Sequence, residues 1–427
     1  MKTVREAQAI ILKDAVTLGK ETMPMTGALG RVIAEDVFSN RNHPPFDMSA
    51  MDGYALRFND IKGADRKNPV VLDIVDDIKA GAKPVCAVIA GKTSRIMTGA
   101  PIPVGADTVV RVEDTDPSPE GTEVRIFVPS PVGSNIRRLG ENLKTGDRVL
   151  KKGAELGPPE IGILAMVKKK EASVYRKPSV AILSTGDELE GLDEPLDPEK
   201  IPDANSYTVM AELQAIGVTA RLLGIARDSR SDLEEKLREG LKYDVLVVSG
   251  GVSVGHHDFV RPTLEGLGIE MRFWRVALRP GHPFAFGTNG QPAKTLVFAL
   301  PGNPVSSMVC CEQFIVPALR KMMGARRLFR RTIKARLEEK VADKKGRVHF
   351  MRALLENTPE GYLTRLTGSQ GSAILMSMVD ADGLLVKPFG KDEVEEGSMV
   401  TVQTLHGFEF QEDPDIEDNG PHEGHGH

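Results

Sequence analysis

Cysteine is scarce in this chain: 427 residues hold only Cys86, Cys310 and Cys311. Adjacent Cys310 and Cys311 do not pair easily, and no Cys-x-x-Cys occurs. That excludes a disulfide framework and a cysteine-only zinc site, and it suits a reducing cytoplasm. Long apolar runs are also missing; the longest are strand-sized, so no membrane span is expected. The opening stretch "MKTVREAQAIIL" is not a secretory signal, because Arg5 and Glu6 interrupt any apolar core. Nor is there a basic excess. A net charge of −5 argues against a generic nucleic-acid or anionic-membrane binder, while leaving room for a local basic pocket. What remains is a soluble globular composition in a chain too long for one core, and two to four domains are expected.

Thr3, Val4, Arg5 and Glu6 read as a capping box that opens a helix through about Leu12. "LGRVIAEDVFS" alternates like a strand. Residues 46–135 hold short β-like runs ("VVLDIV", "CAVIAG", "DTVVRVED", "EVRIFV") separated by Gly and Pro, which predicts an inserted β-rich domain. Residues 136–177 return to turn, strand and helix and rejoin residues 1–45 as one discontinuous linker domain. From residue 178 to 328 strands alternate with helices, predicting a parallel α/β domain covered on both faces. Within it "SYTVMAELQAIG" is helical with Ser206 as N-cap, and a long helix starts near Pro304. Residues 329–410 are β again and predict a C-terminal β-barrel-like domain. Residues 411–427 are acidic, then His-rich, and read as a disordered tail.

In open α/β sheets, ligands bind beyond the carboxyl ends of the strands. Three strand ends carry unusual loops: "STGDEL" (Ser184, Thr185, Gly186), "SGGVSVGHHD" (Ser249, Gly250, Gly251, Ser253, Gly255) and "LPGNPVSS" (Pro301, Gly302, Asn303, Pro304). Glycines let backbone N–H groups approach an anion, and following helix N-termini present positive ends. Three such loops on one edge point to a phosphorylated ligand. Asp187, Glu188, Asp228 and Asp258 follow strands on that edge. They either cap helices or, through Mg²⁺, sit beside phosphates. In the β-rich unit, Asp52 before Gly53 is either a turn residue or a site acid. Arg137 and Arg138, beside Glu141, form either a solvated loop or an anion hold for another domain or subunit.

The motifs "SAMDGYA", "MTGAPIPVGADTVV", "IRRLGENLKTGD", "STGDEL", "SGGVSVG", "RPGHPFAFG", "LPGNPVSS" and "GSQGSAIL", in order from residue 3 to about 408, resemble the molybdopterin molybdenumtransferase (MoeA) family, which includes the gephyrin E domain. The resemblance implies an elongated homodimer of four-domain subunits. It implies that molybdate enters the dithiolene of adenylyl-molybdopterin while AMP leaves in a Mg²⁺-dependent cleavage. It implies that Asp258 and Glu188, and Asp228 with them, handle metal or water, with Glu188 and Asp258 as the Mg²⁺ ligands. Asp52, Thr98 and Arg137 would come from the partner subunit's β domain. The molybdate pocket would be Arg279, His282, Ser306, Arg347 and Ser372. Handover from a molybdopterin adenylyltransferase and to molybdoenzyme apoproteins follows as an expectation.

The chain departs from the family pattern at several places. The usual Lys-Pro-Gly-Lys-Pro is here Arg279-Pro280-Gly281-His282-Pro283, so one cation is conserved in kind and one becomes a titratable imidazole. Asn142 stands where an acid is common, and His349 where Glu is frequent. Two other readings stay open: a related nucleotide-handling enzyme such as a molybdopterin adenylyltransferase, and a non-enzymatic gephyrin-like scaffold.

Overall fold

Thr3 opens the first helix, Val4–Asp14, through the expected capping box: its hydroxyl accepts from Glu6 N–H and the Glu6 carboxylate accepts from Thr3 N–H. The helix buries Val4, Ala7 and Ile11 against the α/β core rather than against its own neighbours in sequence. The computed structural model describes residues 1–227, 229–251, 259–290, 295–343 and 346–405. The tail reading for 411–427 therefore falls outside the described residues, as do Asp228, Ser253, Gly255 and Asp258.

The segments on either side of the β-rich insert pair with each other. Lys20–Pro24 runs antiparallel to Glu171–Tyr175, and Val37–Phe38 to Arg148–Leu150. Ala28, Ile33 and Val37 share a core with Leu150, Leu164 and Val174. "LGRVIAEDVFS" is not one strand; Val32 and Ile33 make isolated bridges before the short Val37–Phe38 strand. The β-rich unit is a six-stranded sheet in the spatial order Thr108–Arg111, Gly53–Leu56, Lys92–Ile96, Val70–Ile78, Glu123–Ile126, Thr115–Pro117. "CAVIAG" forms no strand there, because residues 85 and 86 turn instead to give their N–H groups to the Asp76 carboxylate.

The α/β sheet runs Ala220–Ala226, Val180–Thr185, Val245–Ser249, Leu296–Leu300, Ala285–Thr288, Glu270–Phe273. The first four are parallel, and Ala285–Thr288 runs antiparallel to both of its neighbours, so the sheet is mixed rather than wholly parallel. Three of the parallel strands are buried along their whole length, which explains their unbroken apolar runs. Two caps differ from the sequence reading. Asp203, not Ser206, caps helix Ala204–Ala215, accepting from Ser206 N–H. Ser229 caps Arg230–Gly240.

The C-terminal strands Thr332–Leu337, Val348–Thr358, Gly361–Leu366, Gly383–Lys387 and Met399–Thr404 close on themselves, since Val348–Thr358 pairs with both Gly361–Leu366 and Gly383–Lys387. A short strand of the α/β unit, Leu278–Arg279, adds to this barrel in parallel with Val348–His349. Phe350 and Leu384 of the barrel lie in the same core as Leu278, Phe284 and Phe314.

The helix from Pro304 continues to Met322 but widens to a π turn at Cys311–Ile315, just before Pro317 removes a helical N–H. Opposite this turn Glu212 is buried from the neighbouring helix, and one of its oxygens has no hydrogen-bond partner. Glu312 is also buried but is held by a two-bond fork from Arg330, at 2.9 and 2.7 Å. Burial first, and then the Glu312 charge, push the Glu212 carboxyl well above the usual range. The folded protein therefore keeps Glu212 neutral at pH values where the unfolded chain ionises it, and stability is lost as pH rises above about 4.5. Glu212→Gln is expected to raise the melting temperature at pH 8 by at least about 2 °C, with the gain shrinking toward pH 4. Melting curves at both pH values check this; an unchanged or lowered midpoint at pH 8 would mean Glu212 is ionised in the fold.

Candidate active site

The carboxyl ends of three parallel strands lie level, because Ser184 pairs in register with Ser249, and Ser249 with Leu300. All three expected loops therefore leave from one edge. Ser184 and Ser249 are both buried, and their hydroxyls are used within the protein. Ser184 Oγ lies 2.7 Å from Ser206 Oγ, and Ser249 Oγ accepts from Asn205 Nδ2 at 2.9 Å. Asn205 also donates to the Gly302 carbonyl at 2.8 Å, tying the second loop to the third. These serines thus shape the loops instead of facing out of them.

The bare backbone after Ser249 has a similar cause. Gly250 and Gly251 both have positive φ. A Cβ on Gly250 would stand 2.6 Å from the Thr185 carbonyl oxygen, and one on Gly251 only 2.3 Å from Val260 Cγ2. The loop threads between the first loop and the helix behind it, and only glycine fits. Thr185 Oγ1 reaches the Ser249 carbonyl at 3.4 Å. Beyond Gly186, which also has positive φ, the carboxylate of Glu188 turns back over the glycine and lies at the surface beside Asp187. Pro301 offers its carbonyl to Ser307 Oγ at 2.6 Å. Asn303 precedes the helix that Pro304 opens, and its Nδ2 donates to Ser372 Oγ at 3.1 Å.

Ser372 leads to the second half of the site, where cations are concentrated. Its carbonyl accepts from Val305 N–H, so the 368–372 loop is fastened to the same helix start. Arg352 holds that loop from behind. It is fully buried, donates Nε to Ser377 Oγ at 2.9 Å and Nη2 to the Gly371 carbonyl at 3.0 Å, and leaves Nη1 without a partner. Burial, then the Arg279 charge, bring its pKa down to about 10, which still leaves it cationic at neutral pH. Arg279 is paired with Asp343, whose second oxygen accepts from His349 Nδ1 at 2.9 Å. Burial acts to raise the Asp343 carboxyl, but Arg279 and the His349 N–H outweigh it and hold it below the usual range. His349 is pushed down to about 4, by burial first and by Arg279 second, and is neutral. Lys387, fully buried, stands opposite His349 on the adjacent strand.

Among the expected anion-site residues, Ser306 is buried in the helix start, next to the Gly281 turn. His282 is half-buried, and its Nδ1 lies 2.9 Å from the Val276 carbonyl; because a carbonyl only accepts, Nδ1 carries the hydrogen. Arg347 is half-buried with no ion pair among the described residues. Arg352, five residues further on, is the arginine that contacts the Ser372 loop. Neither it nor Asp343, Asn205 and Lys387 was singled out in the sequence. The available signal was a lone arginine inside an apolar strand, "VHFMRALL".

Asp52, Thr98 and Arg137 make their bonds within and beside the β-rich unit. Asp52 Oδ1 accepts from Thr98 N–H at 2.7 Å and Thr98 Oγ1 at 2.8 Å, and these bonds hold the exposed carboxylate below its ordinary pKa. Arg137 is exposed on the two-residue strand that pairs with Met48–Ser49, while Arg138 is bound to Asp47 at 2.7 Å. Among the described residues no hydrogen bond or ion pair joins Asp52, Thr98 or Arg137 to the three loops. No group of three or more His, Cys, Asp or Glu side chains there has metal-binding geometry, and no helix is long and apolar enough to cross a membrane. The exposed Glu188 carboxylate supplies hard oxygen donors of the kind Mg²⁺ takes, so it fits that ion as one ligand of a set that is not complete among the described residues.

Comparisons with known proteins agree along the chain. Residues 2–167 match the MoeA N-terminal region (domain I and II), 181–321 the family described as "Probable molybdopterin binding domain", and 334–405 the MoeA C-terminal region (domain IV). The molybdopterin molybdenumtransferase of Nostoc sp. is 34% identical over 95% of this chain and 94% of its own length. That of Haemophilus influenzae is 34% identical over 90% and 94%. The crystal structure of the molybdopterin biosynthesis moeA protein from Pyrococcus horikoshii superposes with a TM-score of 0.82 at 29% identity, covering 95% of this chain and all of that one. With its fold, motif loops and full-length relatives in accord, the chain belongs to the molybdopterin molybdenumtransferase (MoeA) family.

Proposed function

We propose that this transferase inserts molybdate into the dithiolene of adenylyl-molybdopterin and releases AMP, working as a homodimer in the cytoplasm. The observation that carries the reading is the excess of buried and half-buried positive charge beside the loop edge. Arg279, Arg352 and Lys387 meet one bonded carboxylate, Asp343, and a buried Arg352 N–H lacks a partner. Buried cations are ordinarily matched by anions. A tetrahedral oxo-dianion supplies both the charge and the acceptor oxygens. The Ser372 loop is fastened beside it by Arg352 and by Val305 N–H, and we add His282, Ser306 and Arg347 as further contacts for the anion.

The chemistry sets what the residues must do. Two Mo–S bonds form and one Mo–O bond breaks; the departing oxygen leaves as water with the two dithiol protons. The protein's part in that step is to hold the dianion and the pterin in one orientation. In the second step water attacks the phosphoanhydride and AMP departs. Bound Mg²⁺, held by Glu188 with Asp258, would act as a Lewis acid on the phosphates. The ionised Asp52, fixed by Thr98, is suited to orienting water, and Arg137 to holding a phosphate. Because among the described residues no hydrogen bond or ion pair links these three to the loops, they are assigned to the partner subunit. Substrate would arrive from a molybdopterin adenylyltransferase, and product would pass to molybdoenzyme apoproteins.

Asp52→Ala and Glu188→Ala are each expected to lower molybdate-dependent AMP release at least about tenfold while the protein stays folded, equivalent to about 1.4 kcal/mol of barrier. Both side chains lie at the surface in motif loops, so no core packing is lost. Wild-type turnover in both variants would remove them from the site.

His282 has one ring nitrogen committed to the Val276 carbonyl, so only Nε2 remains for a ligand. His282→Leu is expected to raise the half-saturating molybdate concentration at least about threefold, the loss of one polar contact. An unchanged value would place His282 outside the anion site.

A further inference from the structure

Arg279 spends one N–H on Asp343 and, among the described residues, makes no other hydrogen bond, so most of its donors remain for a ligand. That economy depends on what occupies the other Asp343 oxygen. Carboxylates pair with guanidinium most strongly through two parallel bonds. Here the pair is single: Asp343 Oδ2 accepts from His349 Nδ1 at 2.9 Å instead of from Arg279, and the Asp343 N–H is anchored to the Asp392 carbonyl at 2.7 Å. His349 is itself fixed, with about 1% of its surface exposed, on the strand to which Leu278–Arg279 pairs, and in register with Arg279.

We propose that His349 is a positioning residue for oxoanion capture: by occupying one oxygen of Asp343 it keeps Arg279 singly bonded and its remaining donors turned toward the anion. This rests on the reading of Arg279 as an anion-site residue given above. The groups facing His349 are Asp343, Arg279, Arg352 and Lys387, three cations and one carboxylate. In that company the imidazole stays neutral, which matters twice. A protonated ring would bind Asp343 as a competing cation, and it would add a further positive charge beside Arg279 and Lys387. A neutral ring satisfies Oδ2 and leaves the carboxylate's charge to Arg279. His349 Nε2 and Arg352 Nη1 are both buried without a hydrogen-bond partner.

The test compares wild type, His349→Asn and His349→Leu. Asparagine can present an N–H where Nδ1 stands, whereas leucine cannot. Two quantities are read: equilibrium binding of molybdate by calorimetry, and AMP release as a function of molybdate. With leucine, molybdate binding and the half-saturating concentration should each weaken at least about tenfold, with the rate at saturation within about twofold of wild type. With asparagine both should stay within about threefold. In an Arg279→Ala background, His349→Leu should add nothing further, because the effect passes through Arg279. Should the leucine variant not fold, His349→Met, which likewise offers no N–H to Asp343 Oδ2, should give the same weakening. Unchanged molybdate affinity in the leucine variant, or equal additional loss without Arg279, overturns the proposal. A wild type that binds molybdate but releases no AMP would overturn the proposed reaction and leave the positioning role standing.

Discussion

A two-residue strand pairing holds the account together. Leu278–Arg279 belongs to the α/β unit by sequence but adds to the barrel by hydrogen bonding, in parallel with Val348–His349. This brings Arg279 to Asp343 and His349, and it lets Phe350 and Leu384 of the barrel share a core with Leu278 and Phe284. The loop edge of the sheet and the cation-rich mouth of the barrel would otherwise be features of two separate bodies. Joined, they form one corner in which the Asn303 amide reaches Ser372, and Arg352 fastens the Ser372 loop from behind. A register slip here would turn Arg279 to the wrong face and separate the cations from the loops.

Burial and charge are balanced differently in the two interior polar clusters. Beside the π turn, one arginine serves two carboxyls; Glu312 takes the Arg330 fork and Glu212 is left neutral. At the barrel mouth the ratio is reversed, with one carboxylate among three cations and a histidine that gives up its charge. The first arrangement is closed, since every charge has an opposite. The second is short of negative charge, which a bound oxoanion would supply.

Much of this organisation was legible in the sequence. Unbroken apolar runs ending in Gly- and Ser-rich turns marked the parallel strands and the edge from which the loops leave. Thr3 and Glu6 marked the first helix. What escaped depended on distant partners. Asp203 and Ser206 are both good caps three residues apart, and the choice falls to Asp203 because Ser206 Oγ is drawn to Ser184. The antiparallel edge formed by Ala285–Thr288 and Glu270–Phe273 gives no local sign of its direction. The prominence of Arg352 over Arg347 follows from the pairing of Val348–Thr358 with Gly383–Lys387, which no local pattern specifies. Asp343 reads as an ordinary loop acid until folding buries it between Arg279 and His349. The glycines after Ser249 were legible as a need for bare backbone, but their close approach is to Thr185 and Val260.

The central claim is that the anion pocket lies where the sheet edge meets the barrel mouth. Crystals soaked in molybdate and measured near the molybdenum absorption edge test it most directly. One strong anomalous peak is expected within hydrogen-bonding reach of Arg279, the free Arg352 N–H and Ser372. A molybdenum peak elsewhere on the protein, with that corner holding only water, would contradict it.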